Sequence, residues 1–268
     1  MIVAIIVLLV LIALYLFAIK GRTGHKGLPA LRGWFYAHRG LHSPGKPENS
    51  MAAFRAAKDH GYGIELDVHL MKDGNLAVIH DSSLKRTAGA DVRIEDLTVF
   101  QLDDYRLDGT DEKIPLLSEV LQLYQGQAPL IVELKTTTEN YTQLCESACK
   151  MLENYSGPYC IESFDPRCCA WLRRHRKEVI RGQLTENFLR TGGKYPWLLK
   201  FAMKHLLLNV FTRPDFVAYR FADRKVISNV ICEKLWGVQN VSWTIRTRED
   251  FETAVREDRI PIFENFIP

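Results

Sequence analysis

The chain has 268 residues, with 35 Lys and Arg against 32 Asp and Glu and a formal net charge of +3. So small an excess among so many charged side chains leaves no nucleic-acid footprint, and the roughly 235 residues after an apolar N-terminus suit one large α/β domain, with nothing to suggest a second. Six cysteines, two of them the neighbours Cys168 and Cys169, form no CxxC pair; they read as reduced, mostly buried thiols, not as a disulfide framework.

The first element is an unbroken apolar run of eighteen residues, Ile2 to Ile19, long enough to cross a bilayer. No charge precedes it, and Lys20, Arg22, Lys26 and Arg32 follow. That order favours an uncleaved anchor over a cleaved signal peptide, and the positive-inside rule puts its C-terminal side in the cytoplasm. The expected organisation is a transmembrane anchor over 1–20, a juxtamembrane linker over 21–33 able to touch anionic lipid, and one catalytic domain over 34–268.

That domain begins with Trp34-Phe35-Tyr36-Ala37, a β-prone run that delivers His38 and Arg39 at its C-terminal end, where a barrel carries its catalytic groups. Gly40 allows a sharp exit, and Asn49 or Ser50 can cap a helix from Met51 to His60. The second strand carries Glu65 and Asp67. Lys72-Asp73-Gly74-Asn75 then joins it to a β run over 76–79. So short a turn cannot join parallel strands, so the pair is a hairpin that folds His80 back toward the strand exit. With that hairpin as an excursion, eight strands remain: 34–38, 63–67, 129–134, 159–164, 180–184, 215–220, 239–245 and 260–264. Helical segments over 116–125, 141–155, 166–175, 195–211, 225–236 and 248–256 fill the gaps, and the alternation predicts a (β/α)8 TIM barrel.

Glu65 and Asp67 stand two apart in Gly63-Ile64-Glu65-Leu66-Asp67-Val68, so a strand points both to one face. Adjacent buried carboxylates need a compensating cation, and hard oxygen ligands suit Ca²⁺ or Mg²⁺. Glu133, at the end of Leu130-Ile131-Val132-Glu133-Leu134-Lys135, can complete a three-carboxylate cage at the barrel mouth. Arg39 and Lys135 supply positive charge for a phosphate. His38 and His80 suit general acid–base work at the two ends of a displacement, one removing the nucleophile's proton and one protonating the leaving group. Their order stays open. Glu48 is a candidate to orient a histidine or arginine, Asn49 to support the site or cap the helix, and Trp243 to form an apolar substrate wall or a core contact. His42, His60, His69, His175 and His205 read as surface or structural.

In order, His38-Arg39-Gly40, Pro47-Glu48-Asn49-Ser50, Glu65-Leu66-Asp67 and His80-Asp81 resemble the HRG, PEN(T/S), ExD and HD pattern of the glycerophosphodiester phosphodiesterase family. The similarity continues through 114–121, Val132-Glu133-Leu134-Lys135, Ser163-Phe164 and Trp243-Thr244, and so spans roughly 34 to 268. It implies a membrane-anchored, bacterial-type member with an insertion over about 69–115, one divalent metal held by Glu65, Asp67 and Glu133, and the same roles for Arg39, Lys135 and the two histidines. The implied reaction is hydrolysis of glycerophosphodiesters to sn-glycerol 3-phosphate and an alcohol. Alternatives are a lysophospholipase D acting on lysophospholipids and a non-catalytic barrel that binds phospholipid head groups. No protein partner is inferable. The last strand departs from the family, which commonly ends with Thr-Asp or Thr-Asn before a proline; here the chain reads Phe263-Glu264-Asn265-Phe266-Ile267-Pro268.

One further stretch stands out. Residues 195–211 read as a single helix, apolar on most of its circumference, with Lys200 and Lys204 on one stripe. It is either a long core helix or one lying at a lipid interface beside the barrel mouth.

Overall fold

The structure, a computed structural model, describes residues 1–137, 139–192 and 195–268. In chain order the elements are α1 (Ile2–Ile19), β1 (Tyr36–His38), α2 (Met51–Asp59), β2 (Gly63–Leu70), β3 (Leu76–Val78), α3 (Lys85–Ala88), α4 (Leu117–Tyr124), β4 (Leu130–Leu134), α5 (Tyr141–Leu152), β5 (Tyr159–Ser163), α6 (Pro166–His175), β6 (Ile180–Thr185), α7 (Phe188–Thr191), α8 (Trp197–Lys204), α9 (Asn209–Thr212), β7 (Phe216–Arg220), α10 (Ile227–Lys234), β8 (Gln239–Ile245), α11 (Arg248–Arg256) and β9 (Ile260–Phe263). Eight of the strands are parallel and close on themselves, running β1-β9-β8-β7-β6-β5-β4-β2 and back to β1. β3 adds to β2 in antiparallel register, Val68 opposite Val78, so the expected hairpin is present.

Apolar runs bounded by glycine, proline and polar turns make the strands, and their burial on both faces is why they read as continuous rather than alternating. Phe54, Leu66, Val132, Leu144, Ile161 and Phe263 belong to a core shared between sheet and outer helices. The hairpin opens an excursion with a core of its own, built from Met71, Ile79, Leu84, Ile94, Leu97, Leu102 and Ile114. All six cysteines are free and buried.

Two expectations are corrected. The stretch expected as a linker is part of the domain: Leu28 to Leu31 form a 3-10 turn whose leucines are buried beside Tyr36, Ile131, Cys160 and Ile180 at the base of the barrel. The Tyr36 hydroxyl donates to the Leu31 carbonyl at 2.9 Å. Arg22 pairs with the fully buried Asp215 at 2.5 Å, and a Cβ on Gly21 would lie 2.6 Å from the Pro214 carbonyl oxygen. The basic composition concealed this because Arg22 is consumed by a buried acid and the segment's apolar content is one short cluster. The expected single helix over 195–211 is two, α8 and α9, broken where Leu206 takes a left-handed conformation with φ 57°. No glycine or proline marks that break.

α1 is the one helix, among the described residues, long and apolar enough to cross a membrane, with a mean hydropathy of 3.4. Its last turn is fixed to the barrel. Ile19 is fully buried with Leu206, Val217, Tyr219 and Cys232, and its carbonyl accepts from Asn209 Nδ2 at 2.9 Å. Trp236 Nε1 donates to the Leu16 carbonyl at 3.0 Å, and Arg213 donates to the carbonyls of Phe17 and Lys20 at 2.8 and 2.7 Å.

Candidate active site

Strand register assembles the site at the C-terminal mouth of the barrel. His38 on β1 stands opposite Glu65 on β2, Asp67 opposite Glu133 on β4, and Glu133 opposite Glu162 on β5. After β1 the chain must turn at once: Arg39 has φ 55° and Gly40 φ 78°, where a Cβ would lie 2.9 Å from Ala53. Glycine alone meets both demands at position 40. The turn aims the Arg39 amide at Glu65 Oε2, 3.1 Å away.

Ser50, not Asn49, caps α2, its hydroxyl accepting from the Ala53 amide at 3.1 Å. Asn49 instead donates from Nδ2 to Asp67 Oδ2 at 2.8 Å, so of its two expected roles the capping one is replaced by support of a carboxylate. Glu48 accepts from Arg39 at 2.9 Å and from Arg86 at 2.5 Å. Arg86 also holds Asp81, whose other oxygen lies 2.7 Å from His80 Nδ1. A carboxylate only accepts, so Nδ1 carries the proton and Nε2 is the working nitrogen of His80. A continuous chain of charged groups thus joins Arg39 to His80. His69, expected to be surface or structural, is buried and structural: Nδ1 pairs with Glu95 at 2.8 Å and Nε2 meets the His80 carbonyl at 3.1 Å.

Lys135 Nζ lies 2.7 Å from Glu133 and 3.0 Å from Asp67, and Arg39 Nε is 3.3 Å from Asp67. His38, Arg39, Glu65, His80, Glu133, Lys135 and Trp243 all border one cavity of about 40 Å³. Trp243 packs edge-on against Phe164 at 5.4 Å, and its Nε1 donates to the Ala218 carbonyl at 2.9 Å, which leaves the indole as an apolar wall.

Two residues escaped the reading of the sequence. Glu264, in the stretch that departs from the family pattern, lies 2.5 Å from His38 Nδ1 and is held on its other oxygen by Arg246 at 2.7 Å. Its position after an apolar strand was the available signal. Glu162 is buried beside Glu133, with an Oε2 that has no hydrogen-bond partner; as a lone acid in Tyr159-Cys160-Ile161-Glu162-Ser163 it lacked the two-apart pairing that marked Glu65 and Asp67.

Burial and the neighbouring carboxylates Asp67 and Glu133 push Glu65 well above the ordinary carboxyl range, and burial together with Glu133 does the same to Glu162. Burial, only partly offset by Lys135, raises Glu133 to about 7. Burial opposes ionisation of Asp67 as well, yet Lys135, His80 and Arg39 hold it well below the usual range. Both imidazoles are lowered by burial, His80 to about 4 and His38 against an upward pull from Glu264.

The donor chemistry fits a hard divalent cation. Glu65, Asp67 and Glu133 present oxygens within 4.8 Å of one another. Four buried carboxylates, with Glu162 as the fourth, meet two cations among the described residues, Arg39 and Lys135, so with all four ionised the site is two positive charges short, and without a further cation burial keeps Glu65 and Glu162 neutral. A deficit of two, with an orphaned carboxylate oxygen beside it, is what a divalent ion on oxygen ligands would neutralise.

A parallel barrel whose mouth holds an acidic cage, two phosphate-competent cations and two carboxylate-supported imidazoles is a hydrolase of anionic esters in its layout. Residues 38–266 match the family model described as Glycerophosphoryl diester phosphodiesterase family. The chain belongs to that family and is, by that membership, a phosphoric diester hydrolase. It is 30% identical over 232 residues to a glycerophosphodiester phosphodiesterase of Caldanaerobacter subterraneus subsp. tengcongensis, covering 82% of this chain and 88% of that one. Lysophospholipase D GDPD1 of Rattus norvegicus is 33% identical over 121 residues, 40% of this chain and 37% of its own length. Among solved structures, an Oleispira antarctica phosphodiesterase in complex with the product sn-glycerol-3-phosphate superposes with a TM-score of 0.72 over 91% of this chain and 95% of that one. At 19% identity that likeness is one of fold.

Proposed function

We propose that this protein hydrolyses glycerophosphodiesters to sn-glycerol 3-phosphate and an alcohol, and that it does so as a single-pass membrane protein with its barrel on the cytoplasmic side. The observation that carries the reaction is the convergence of His38, Arg39, Glu65, His80, Glu133 and Lys135 on one cavity in a chain of this family. Arg39 and Lys135 bind the phosphate, Arg39 through a planar fork that Glu48 keeps oriented. Glu65, Asp67 and Glu133 would hold one Ca²⁺ or Mg²⁺, with Asn49 fixing Asp67. Such an ion supplies charge neutralisation at the phosphoryl oxygens.

Proton transfer falls to the imidazoles. The Nδ1 of each is committed to a carboxylate, Glu264 for His38 and Asp81 for His80, so each offers Nε2 to the substrate. One takes the proton of the attacking hydroxyl, from water or a neighbouring glycerol hydroxyl, and the other returns one to the leaving alkoxide. Trp243 and Phe164 exclude water from one side of the phosphate. Arg86 and Glu48 couple the histidine side of the site to the phosphate side.

A second reading, lysophospholipase D activity, is favoured by the partial similarity to GDPD1 and by the apolar surface discussed below. Turnover of glycerophosphocholine and of lysophosphatidylcholine by the full chain, with and without chelator, tests both. We expect glycerophosphocholine turnover to stop in EDTA and to be lost in Glu65→Ala and Asp67→Ala while both variants stay folded. Undiminished activity in EDTA would end the metal-dependent reading.

A further inference from the structure

Of the exposed large apolar side chains that follow α1 among the described residues, six fall between Leu189 and Phe211, and Phe100, Ile227, Leu235, Val255 and Ile267 lie elsewhere. On α8, Trp197, Leu198 and Phe201 are exposed, with Trp197 and Phe201 stacked at 5.6 Å in an i,i+4 ridge. Tyr195 precedes them, and Phe211 on α9 is exposed as well. Isolated apolar residues on a surface are ordinary, but a contiguous aromatic ridge is not. The same region receives the end of α1. Ile19 and Asn209 are hydrogen-bonded, Leu206 and Leu207 pack on Ile19, Tyr15 and Leu16, and Arg213 stacks on Phe17 at 4.4 Å. Lys20 sits 4.7 Å above the Trp236 ring at that junction, the pairing of aromatic and ammonium usual at a bilayer surface.

From these contacts we infer that the α8 face rests on the same lipid leaflet that α1 enters, so that the barrel is held against the bilayer in one orientation. This rests on the reading of α1 as a membrane span. α8 has eight residues, about 12 Å at 1.5 Å per residue. The turn after it is in contact with the last turn of α1. Its aromatic ridge therefore lies within about one interfacial layer of the point where α1 leaves the protein. The half-buried Lys200 and Lys204 lie on the same helix and suit the headgroup depth. Lipid is the occupant because α8 runs directly into the turn and the α9 segment on which the hydrophobic α1 is docked, whereas a second copy would have to sit beside that projecting helix.

The inner side of α8 gives the face a purpose. Leu199 and Met203, with Tyr195, line a cavity of about 470 Å³ that reaches Thr136, Thr137 and Asp165. Those three lie directly after the phosphate-binding Lys135 and the site-lining Phe164 in the chain. An acyl chain that stays in the leaflet could thus run beneath α8 while its phosphate reaches the mouth. Lysophospholipids are the substrate class such a face admits.

The test uses the full chain in nanodiscs containing brominated acyl chains, with Trp197→Phe as the probe among the five tryptophans. Trp197 is 65% exposed, so the change leaves the fold untouched. The expected result is that wild-type fluorescence is quenched by bromine and that Trp197→Phe loses a quenched component. Trp197→Glu with Phe201→Glu should lower turnover of lysophosphatidylcholine in the disc severalfold and leave that of soluble glycerophosphocholine unchanged. Quenching indifferent to Trp197→Phe overturns the docked face, including the case in which light scattering shows a second copy covering it. A chain extracted from vesicles by alkaline carbonate overturns the α1 span, and the docked face with it.

Discussion

Glu264→Gln isolates what the last strand adds to the reaction. The side chain keeps its size and its Arg246 contact but loses the charge that faces His38 Nδ1 at 2.5 Å. A hydrogen bond to a charged partner is worth about 1.5–3 kcal/mol, and at ~1.4 kcal/mol per decade its loss in the transition state predicts a fall in kcat of about tenfold to a hundredfold. The amide oxygen can still accept from Nδ1–H, so Glu264→Ala, which frees the tautomer as well, should fall further. The sign of the pH effect follows from Glu264 pulling the His38 pKa up against burial: removing its charge lowers that pKa. If His38 is the base, the acidic limb of the kcat profile moves to lower pH; if it is the acid, the alkaline limb does. Steady-state kinetics on glycerophosphocholine from pH 5 to 9 reads both the loss and the limb. Unchanged kcat with unmoved limbs would show that Glu264 merely fills space beside His38.

His80→Ala should lose about 10² to 10⁴ in kcat, the usual worth of a positioned acid or base, while calorimetric titration with Ca²⁺ or Mg²⁺ shows binding retained; wild-type kcat would make His80 structural. Arg22→Ala removes the partner of a carboxylate with no exposed surface, at a cost of about 3 kcal/mol, or roughly 6–12 °C in Tm for a domain of this size. Scanning calorimetry finding no change would mean that the segment before β1 is the loose linker its composition suggests.

What the sequence disclosed follows what local pattern can carry. Strand order was legible because each barrel strand is an apolar run between turn residues, and the acidic cage because Glu65 and Asp67 stand at a spacing that only a strand turns to one side. Glu264 was not, since its partner is 226 residues away and nothing local marks a carboxylate that will meet an imidazole. The floor of the barrel was hidden for a different reason. Leu28-Pro29-Ala30-Leu31 is too short to register as an element, and the residues around it advertise a solvated tether. The break in 195–211 depends on a left-handed leucine stabilised by burial, which is tertiary context overriding propensity.

The two imidazoles are supported alike and from opposite ends of the chain. Each gives Nδ1 to a carboxylate, and each carboxylate is itself held by an arginine, Arg246 on Glu264 and Arg86 on Asp81. An arginine so close draws off part of the negative charge that would otherwise keep a histidine protonated. With burial added, both rings lie below the ordinary histidine value, and His80, at about 4, is neutral at physiological pH. Neutral imidazole serves as a base at once, but an acid must first acquire a proton. The phosphodiester can supply the condition for that itself. In the proposed reaction its negative charge, brought beside one Nε2 by Arg39 and Lys135, would raise the pKa of that ring, so that the proton taken up accompanies substrate. On that proposal free barrel and occupied barrel differ in protonation at whichever imidazole serves as the acid. The limb that separates kcat from kcat/KM, set beside the limb that Glu264→Gln displaces, assigns acid and base between His38 and His80.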